Sequence, residues 1–333
     1  MLLKKIGEFR YFILPLLLAA IGVGCYVVVS IYYLSSPRSV LVEIPKGSGL
    51  RDVARILRDE GAIRDDRVFV VYALLKNARS KLKAGEYAFD AGSNMASILD
   101  KIVQGKVYLR RITVPEGLTV KQIAKLLDEE GVVKKEEFLE AAEDKEFIQK
   151  LLGSSASSFE GYLFPNTYVY PKGISARGLI TLMVEEHKKV FTSLGSSRIG
   201  LSPHSIVTIA SIIEKETALP EEKPLVSAVL HNRLKLGMRL ECDPTVIYAL
   251  GEDFNGTLTK KDLKVESNYN TYLVHGLPPG PIANPGMDAL KAAINPPDVP
   301  YLYFVSRGDG THKFSTTYTD HLRAVLKYRK QKN

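Results

Sequence analysis

Residues 11–34, YFILPLLLAAIGVGCYVVVSIYYL, carry no charged side chain. Few structures are open to a run that long and that apolar. In hydrocarbon every backbone amide must find its partner within the segment, so the run is helical. At about 1.5 Å per residue it reaches roughly 36 Å, enough for a bilayer core. Pro15, Gly22 and Gly24 are tolerated in membrane helices. Lys4, Lys5 and Arg10 precede the run against Glu8 alone. The expected topology is therefore a cytoplasmic tail over 1–10, a transmembrane helix over 11–34 and an exported remainder, placing a single-pass protein in the cytoplasmic (inner) membrane. A cleaved signal peptide is the alternative. The run is longer than a signal core and no small-x-small pattern clearly closes it, although Ser30 to Ser36 offers small residues.

Of the two cysteines, Cys25 lies in the span and Cys242 far from it. No structural disulfide is expected, so the exported part must fold on its core alone. The formal charge is +8. Neither aromatic-basic interleaving nor a glycine-rich phosphate loop accompanies it, so no nucleic-acid partner is expected, and a basic exported surface suits anionic lipid or an anionic wall polymer. The six histidines are scattered, with no HExxH, and Cys242 has no neighbour at ligand spacing. No metal and no other cofactor is expected.

Two stretches read in parallel, VEIPKGSGLRDVARILRDEGAIRDDRVF from Val42 and ITVPEGLTVKQIAKLLDEEGVVKKEEF from Ile112. Pro45 and Pro115, Gly47 and Gly117, Val53 and Ile123, Ala54 and Ala124, Leu57 and Leu127, and Gly61 and Gly131 each lie 70 positions apart. Each copy predicts a short strand, a Pro-x-Gly turn and an amphipathic helix stopped by glycine. Between the copies, Leu82 to Arg110 predicts a strand, a helix over 94–103 and a returning strand. Over about residues 40–140 the pattern resembles LysM-like modules, which bind N-acetylglucosamine-containing chains. Residues 40–152 are read as this repeated β/α region, serving either glycan contact or scaffolding. Few aromatic side chains are present for stacking on sugars. The run GSSASS at 153–158 reads as a hinge, and 153–333 as a mixed α+β catalytic domain, so the whole is α+β.

The segment SIVTIASIIEKETA, Ser205 to Ala218, carries the most telling residue. As a helix it sets Ile209, Ile212, Ile213 and Glu216 on one arc and Glu214 roughly opposite. A carboxylate closing an apolar face is either ion-paired or a carboxylic acid whose pKa is raised by desolvation, and the latter is a general acid near neutral pH. Other polar residues gather around it in the sequence. FEGYLFPNTYVYPKG offers Glu160 and Asn166, lining a groove or belonging to an irregular segment whose tyrosines fill the core. Arg233, near the end of a helix with Val226, Val229, Leu230 and Leu234 inward, is a candidate partner for Glu214 or Glu216. Glu214 is expected to be solvated or paired with Arg233 or a neighbouring lysine. Asp243 or Thr245 is expected to cap the next helix, with Asp243 alternatively a second site carboxylate. The segment 266–286 is dense in Asn, Tyr, Gly and Pro, and Tyr269, Asn270 and Tyr272 suit sugar hydroxyls and acetamido groups. A strand over 301–306 and a short basic helix close the chain.

In this order IIEKETA, HNRLKLGMRL, DPTVIY, NTY, GLPPGPIANPG and YLYFV closely resemble the YceG-like endolytic murein transglycosylase family, over essentially the whole chain. The resemblance implies a lytic transglycosylase, a glycan-cleaving lyase of the bacterial envelope. Its implied substrate is nascent peptidoglycan glycan strands, cut internally between N-acetylmuramic acid and N-acetylglucosamine with a 1,6-anhydro end left behind. It implies Glu216, the second Glu of EKET, as catalytic, and proximity to peptidoglycan synthases. Glu160, Asn166, Arg233, Asp243, Thr245, Tyr269, Asn270 and Tyr272 are the expected substrate-side residues. Cys242 stands where members commonly have Thr or Gln and is read as filler. Two other readings stay open, a hydrolytic muramidase with Asp243 or Glu160 as base, and a membrane-tethered wall-binding scaffold.

Overall fold

The computed structural model describes residues 2–154, 156–195 and 200–329, so Ser155 of the 153–158 run lies outside the described residues. The fold is α+β with one N-terminal membrane-spanning helix. Two compact units divide the chain, Met1–Arg110 with Val169–Lys172, and Arg111–Tyr168 with Gly173–Asn333.

In the first unit, helix α1 (Leu2–Tyr32) contains an apolar span, Leu14–Tyr32, of mean hydropathy 2.4 and 11% buried within the protein. Strand β1 (Val40–Ile44), helix α2 (Leu50–Asp59), helix α3 (Asp66–Leu75), strand β2 (Gly85–Phe89) and helix α4 (Met95–Gln104) follow. Strands β1 and β2 pair antiparallel, Val40 opposite Phe89 and Ile44 opposite Gly85. The period of two turns Val42, Ile44, Tyr87 and Phe89 inward, where they meet Val53, Ala54 and Leu57 of α2 and Ile98, Leu99 and Ile102 of α4. Each large side chain buried there contributes about 1.5–3 kcal/mol. The Asp65 side chain caps α3 and that of Asn94 caps α4, close to the start the sequence predicts.

Strand β3 (Leu109–Thr113) runs across the division into the second unit. There follow helices α5 (Val120–Glu129), α6 (Lys135–Glu143) and α7 (Lys145–Leu152), then strand β4 (Thr167–Pro171) at the division again. Helices α8 (Ala176–Ser193), α9 (Pro203–Glu216), α10 (Lys223–Lys235), α11 (Asp243–Leu250) and α12 (Met287–Ile294), strands β5 (Tyr303–Ser306) and β6 (His312–Ser315), and helix α13 (Tyr318–Arg329) complete it. Ser202 caps α9 and Pro203 supplies a first-turn residue with φ preset. From Ile206 to Ile213 every residue of α9 is buried, so its apolar surface runs all round rather than along one arc. Helices α10, α11 and α12 pack on it, and β5 and β6 form an antiparallel hairpin.

The repeat is real as local structure, since α2 and α5 begin and end 70 positions apart. Its two copies lie in different units, however, and do not make one module. The division falls at Arg110, ahead of the 153–158 run, and α5 shares its unit with α9.

Candidate active site

Helix α9 ends at Glu216. Its last turn holds two carboxylates with different surroundings. Glu214 accepts from the Lys223 ammonium at 3.0 and 3.1 Å and from the Gly286 backbone N–H at 3.0 Å. The Lys223 and Glu214 side chains are 4% and 7% exposed. The partner is a lysine nine positions along the chain, and Arg233 takes no part in the pair. Lys223 also lies 3.6 Å from Glu116, in the Pro-x-Gly turn before α5. The Lys215 ammonium donates to the Gly117 carbonyl at 3.1 Å.

Glu216 points elsewhere and forms no ion pair among the described residues. It keeps partial contact with solvent, yet enough protein surrounds it that desolvation pushes its carboxyl up to about 8, with the charge of Asp243 adding to the rise. The neighbouring Cys242 thiol and then the charge of Arg233 act the other way. Ile212 and Ile213, fully buried, form part of the apolar wall behind it.

Arg233 is buried and its donors go to the protein itself. Nε donates to the Leu302 carbonyl at 2.7 Å, and Nη1 to the Arg239 and Leu240 carbonyls at 3.1 and 2.9 Å and to Glu241 at 3.1 Å. The expected ion pair with Glu214 or Glu216 is therefore absent, because main-chain carbonyls from the β5 side and the α10–α11 connection reach the guanidinium.

The cap of α11 also differs from expectation. Cys242 occupies the N-cap position without a side-chain cap bond, and Asp243 is the first helical residue. Asp243 is left exposed and accepts from the Tyr272 hydroxyl at 2.6 Å. Thr245 is fully buried, its hydroxyl on the Cys242 carbonyl at 2.7 Å and beside that of Thr271 at 2.9 Å. Asn270 is likewise fully buried, donating to the Leu263 and Val265 carbonyls at 3.1 and 2.8 Å. Neither Thr245 nor Asn270 has surface to offer a sugar. Their polar groups instead satisfy the irregular backbone that carries Tyr269 and Tyr272, both partly exposed.

A second buried carboxyl lies in the same unit. Glu160 accepts from the Val120 N–H at 3.2 Å, from Asn284 Nδ2 at 3.1 Å and from the Tyr248 hydroxyl at 3.4 Å, and burial pushes it up to about 7. The Tyr248 ring packs on that of Tyr269, centroids 4.9 Å apart. Helix α11 links the two groups, with Asp243 at its start and Tyr248 further along. Asn166 joins neither, since its amide donates to Glu186 of α8 at 3.2 Å. Among the described residues no group of three His, Cys, Asp or Glu side chains could hold a metal ion.

Sequence reasoning missed Lys223, Cys242 as a neighbour of Glu216, Tyr248 and Asn284. Asn284 carried a usable signal, as the one amide within the Pro-rich IANPG stretch. For Lys223 there was none beyond its position at the start of the next helix.

Residues 42–327 match the YceG-like family, and the chain belongs to that family. The endolytic murein transglycosylase of Bacillus subtilis strain 168 is 34% identical over 315 residues, covering 90% of this chain and 87% of the relative. The endolytic murein transglycosylase of Streptococcus pneumoniae strain R6 is 29% identical over 327 residues, covering 88% of this chain and 59% of that longer protein. Among solved structures, a YceG-like protein from Listeria monocytogenes is 35% identical with a TM-score of 0.56, covering 86% of this chain and 98% of the other.

Proposed function

We propose that this chain is an endolytic murein transglycosylase, a lyase that cuts peptidoglycan glycan strands between N-acetylmuramic acid and N-acetylglucosamine and leaves a 1,6-anhydro-muramoyl end. The activity accords with that of the relatives above, and the observation that carries the mechanism is Glu216, a carboxyl held protonated to about pH 8 at the end of a buried helix. Glu216 gives its proton to the glycosidic oxygen as the bond to the anomeric carbon breaks. The resulting carboxylate then takes the proton of the muramoyl 6-hydroxyl while that oxygen closes on the anomeric carbon. One group serves as acid and then base, and no water is consumed.

Asp243, Tyr272 and Tyr269 face the sugar in this reading. Arg233, Thr245, Asn270 and Glu160 hold the elements that carry them. The three basic residues ahead of the span keep the N-terminus cytoplasmic, and both units meet nascent strands outside the membrane, beside the synthases that make them. Residues 40–152 act as LysM-like β/α units, the first copy available to glycan and the second built into the catalytic unit with 153–333.

The test is Glu216→Gln, assayed on purified glycan strands by mass spectrometry of the ends. General acid-base catalysis of this kind contributes about 10²–10⁴-fold, and a loss of that size in anhydro ends is expected. Wild-type levels would remove Glu216 from the chemistry. The charge of Asp243 acting on Glu216 favours a second reading, hydrolysis with Asp243 as base, which would give ends about 18 Da heavier.

A further inference from the structure

The outer face of α3 in the first unit is bare and apolar. Val71, Leu74 and Leu75 are 50%, 51% and 77% exposed, while Val68, Phe69, Tyr72 and Ala73 on the other side are buried. Arg67, one turn before Val71, continues the same row. Arg64 precedes the helix, and Lys76, Arg79 and Lys81 follow it, all exposed. The acidic residues of this stretch are already engaged. Asp65 caps α3, and Asp66 pairs with Arg58 at 2.9 Å.

What lies against this face follows from α1, in the same unit. The last turns of α1 pack on the unit's core. Ile31 is 5% exposed, the Tyr32 ring meets that of Tyr72 at 6.3 Å, and the Tyr26 hydroxyl donates to Asp65 at 3.0 Å. Those residues also belong to the apolar span. The uncharged run within α1, Tyr11 to Tyr32, is about 33 Å long at about 1.5 Å per residue, against a hydrocarbon core of about 30 Å. Withdrawing Tyr26 to Tyr32 from the bilayer would leave Tyr11 to Cys25, about 22 Å, and a span too short. The Tyr26–Asp65 and Tyr32–Tyr72 contacts therefore keep α3 beside the outer end of the span.

We propose that α3 lies on the outer surface of the membrane that α1 crosses, with Val71, Leu74 and Leu75 entering the headgroup–acyl boundary and Arg64, Arg67, Lys76, Arg79 and Lys81 reaching anionic headgroups. A lipid surface accounts for both halves of the pattern, the apolar row and its basic rim. The contact is additional to the span and independent of the glycan chemistry.

The chain contains no tryptophan, so Leu75→Trp in the full-length protein is a single reporter. It is placed in nanodiscs of phosphatidylcholine and phosphatidylglycerol. A side chain sitting ~5–10 Å into the boundary is expected to emit to the blue, resist iodide, and lose about half its intensity when the upper acyl chains carry bromine. Quenching by bromine is expected to weaken when phosphatidylglycerol is omitted, and equal quenching would overturn the role of the basic rim. Aqueous emission with full iodide access and no response to bromine would overturn the proposal. So would blue emission untouched by bromine that appears only with two chains per disc, which would assign the face to a second copy. Should Leu75→Trp fail to fold, Val71→Trp reads the same row.

Discussion

The two Pro-x-Gly turns of the repeat have the same local build and opposite surroundings. In the first copy Gly47 has φ +85° and nothing within 4 Å of where a Cβ would stand, and Lys46 beside it is exposed. In the second, Gly117 has φ +74°, its N–H donates to the Asn284 carbonyl at 2.9 Å, and its carbonyl accepts from Lys215. Glu116, where the first copy has Lys46, lies 3.6 Å from Lys223. Turn and helix obey the same rules in both. A change of charge at one turn position and a set of distant polar partners distinguish a free turn from one pinned to the end of α9. The pinned side is that of Glu214, which leaves Glu216 without an ion pair among the described residues and hence able to hold its proton.

Breaking the pin should give the largest effect. Lys223→Met strands the Glu214 carboxylate in a site 7% exposed, and is expected to cost about 3–5 kcal/mol in urea unfolding. Lys46→Met in the free turn should stay within about 0.5 kcal/mol. Perturbing the Glu216 side instead should move a pH profile. With protonated Glu216 as the proposed donor, cleavage should fall about tenfold per pH unit above its pKa of about 8. Asp243→Asn removes a negative charge that raises that pKa, so the alkaline limb of kcat/KM should shift to lower pH. An unmoved limb would detach Asp243 from the acid. The reciprocal swap sharpens the contrast between copies. Glu116→Lys sets a cation beside Lys223 and Lys215 at a half-exposed position and should destabilise by about 1 kcal/mol, whereas Lys46→Glu should be near neutral. The smallest effect concerns the caps. Thr119 caps α5 through a bond from the Gln122 N–H, while Gly49 stands at the same place before α2. Thr119→Gly should cost only a few tenths of a kcal/mol in the same unfolding assay.

What could be read from sequence was what depends on near neighbours. The span, the 3.6-residue rows of Val53, Ala54 and Leu57 and of Ile123, Ala124 and Leu127, the Asn94 start and the glycine stops are all set within a few residues. The apolar surroundings of Glu216 were legible for the same reason, because Ile212 and Ile213 precede it on one helix. The pairing of polar groups was not legible. Glu214 meets Gly286 across 72 positions and Glu160 meets Asn284 across 124, and no local period encodes such distances. Arg233 shows the same limit, since apart from Glu241 its partners are main-chain carbonyls that any residue type would present. Thr245 and Asn270 were assigned to the ligand on chemical type, but a polar group serves an irregular backbone as readily as a substrate.

Gly286 has φ −81°, a conformation open to any residue, so its missing side chain reflects room and not backbone geometry. A Cβ there would fall 1.8 Å from Glu116 Oε1. The two positions are coupled. The three atoms nearest that Cβ all belong to the Glu116 carboxylate, so alanine at 286 displaces it from its place near Lys223, and alanine at 116 removes that clash. A methyl at 286 is thus expected to cost less with alanine at 116 than with glutamate there, and the double variant should be more tolerable than Gly286→Ala alone predicts.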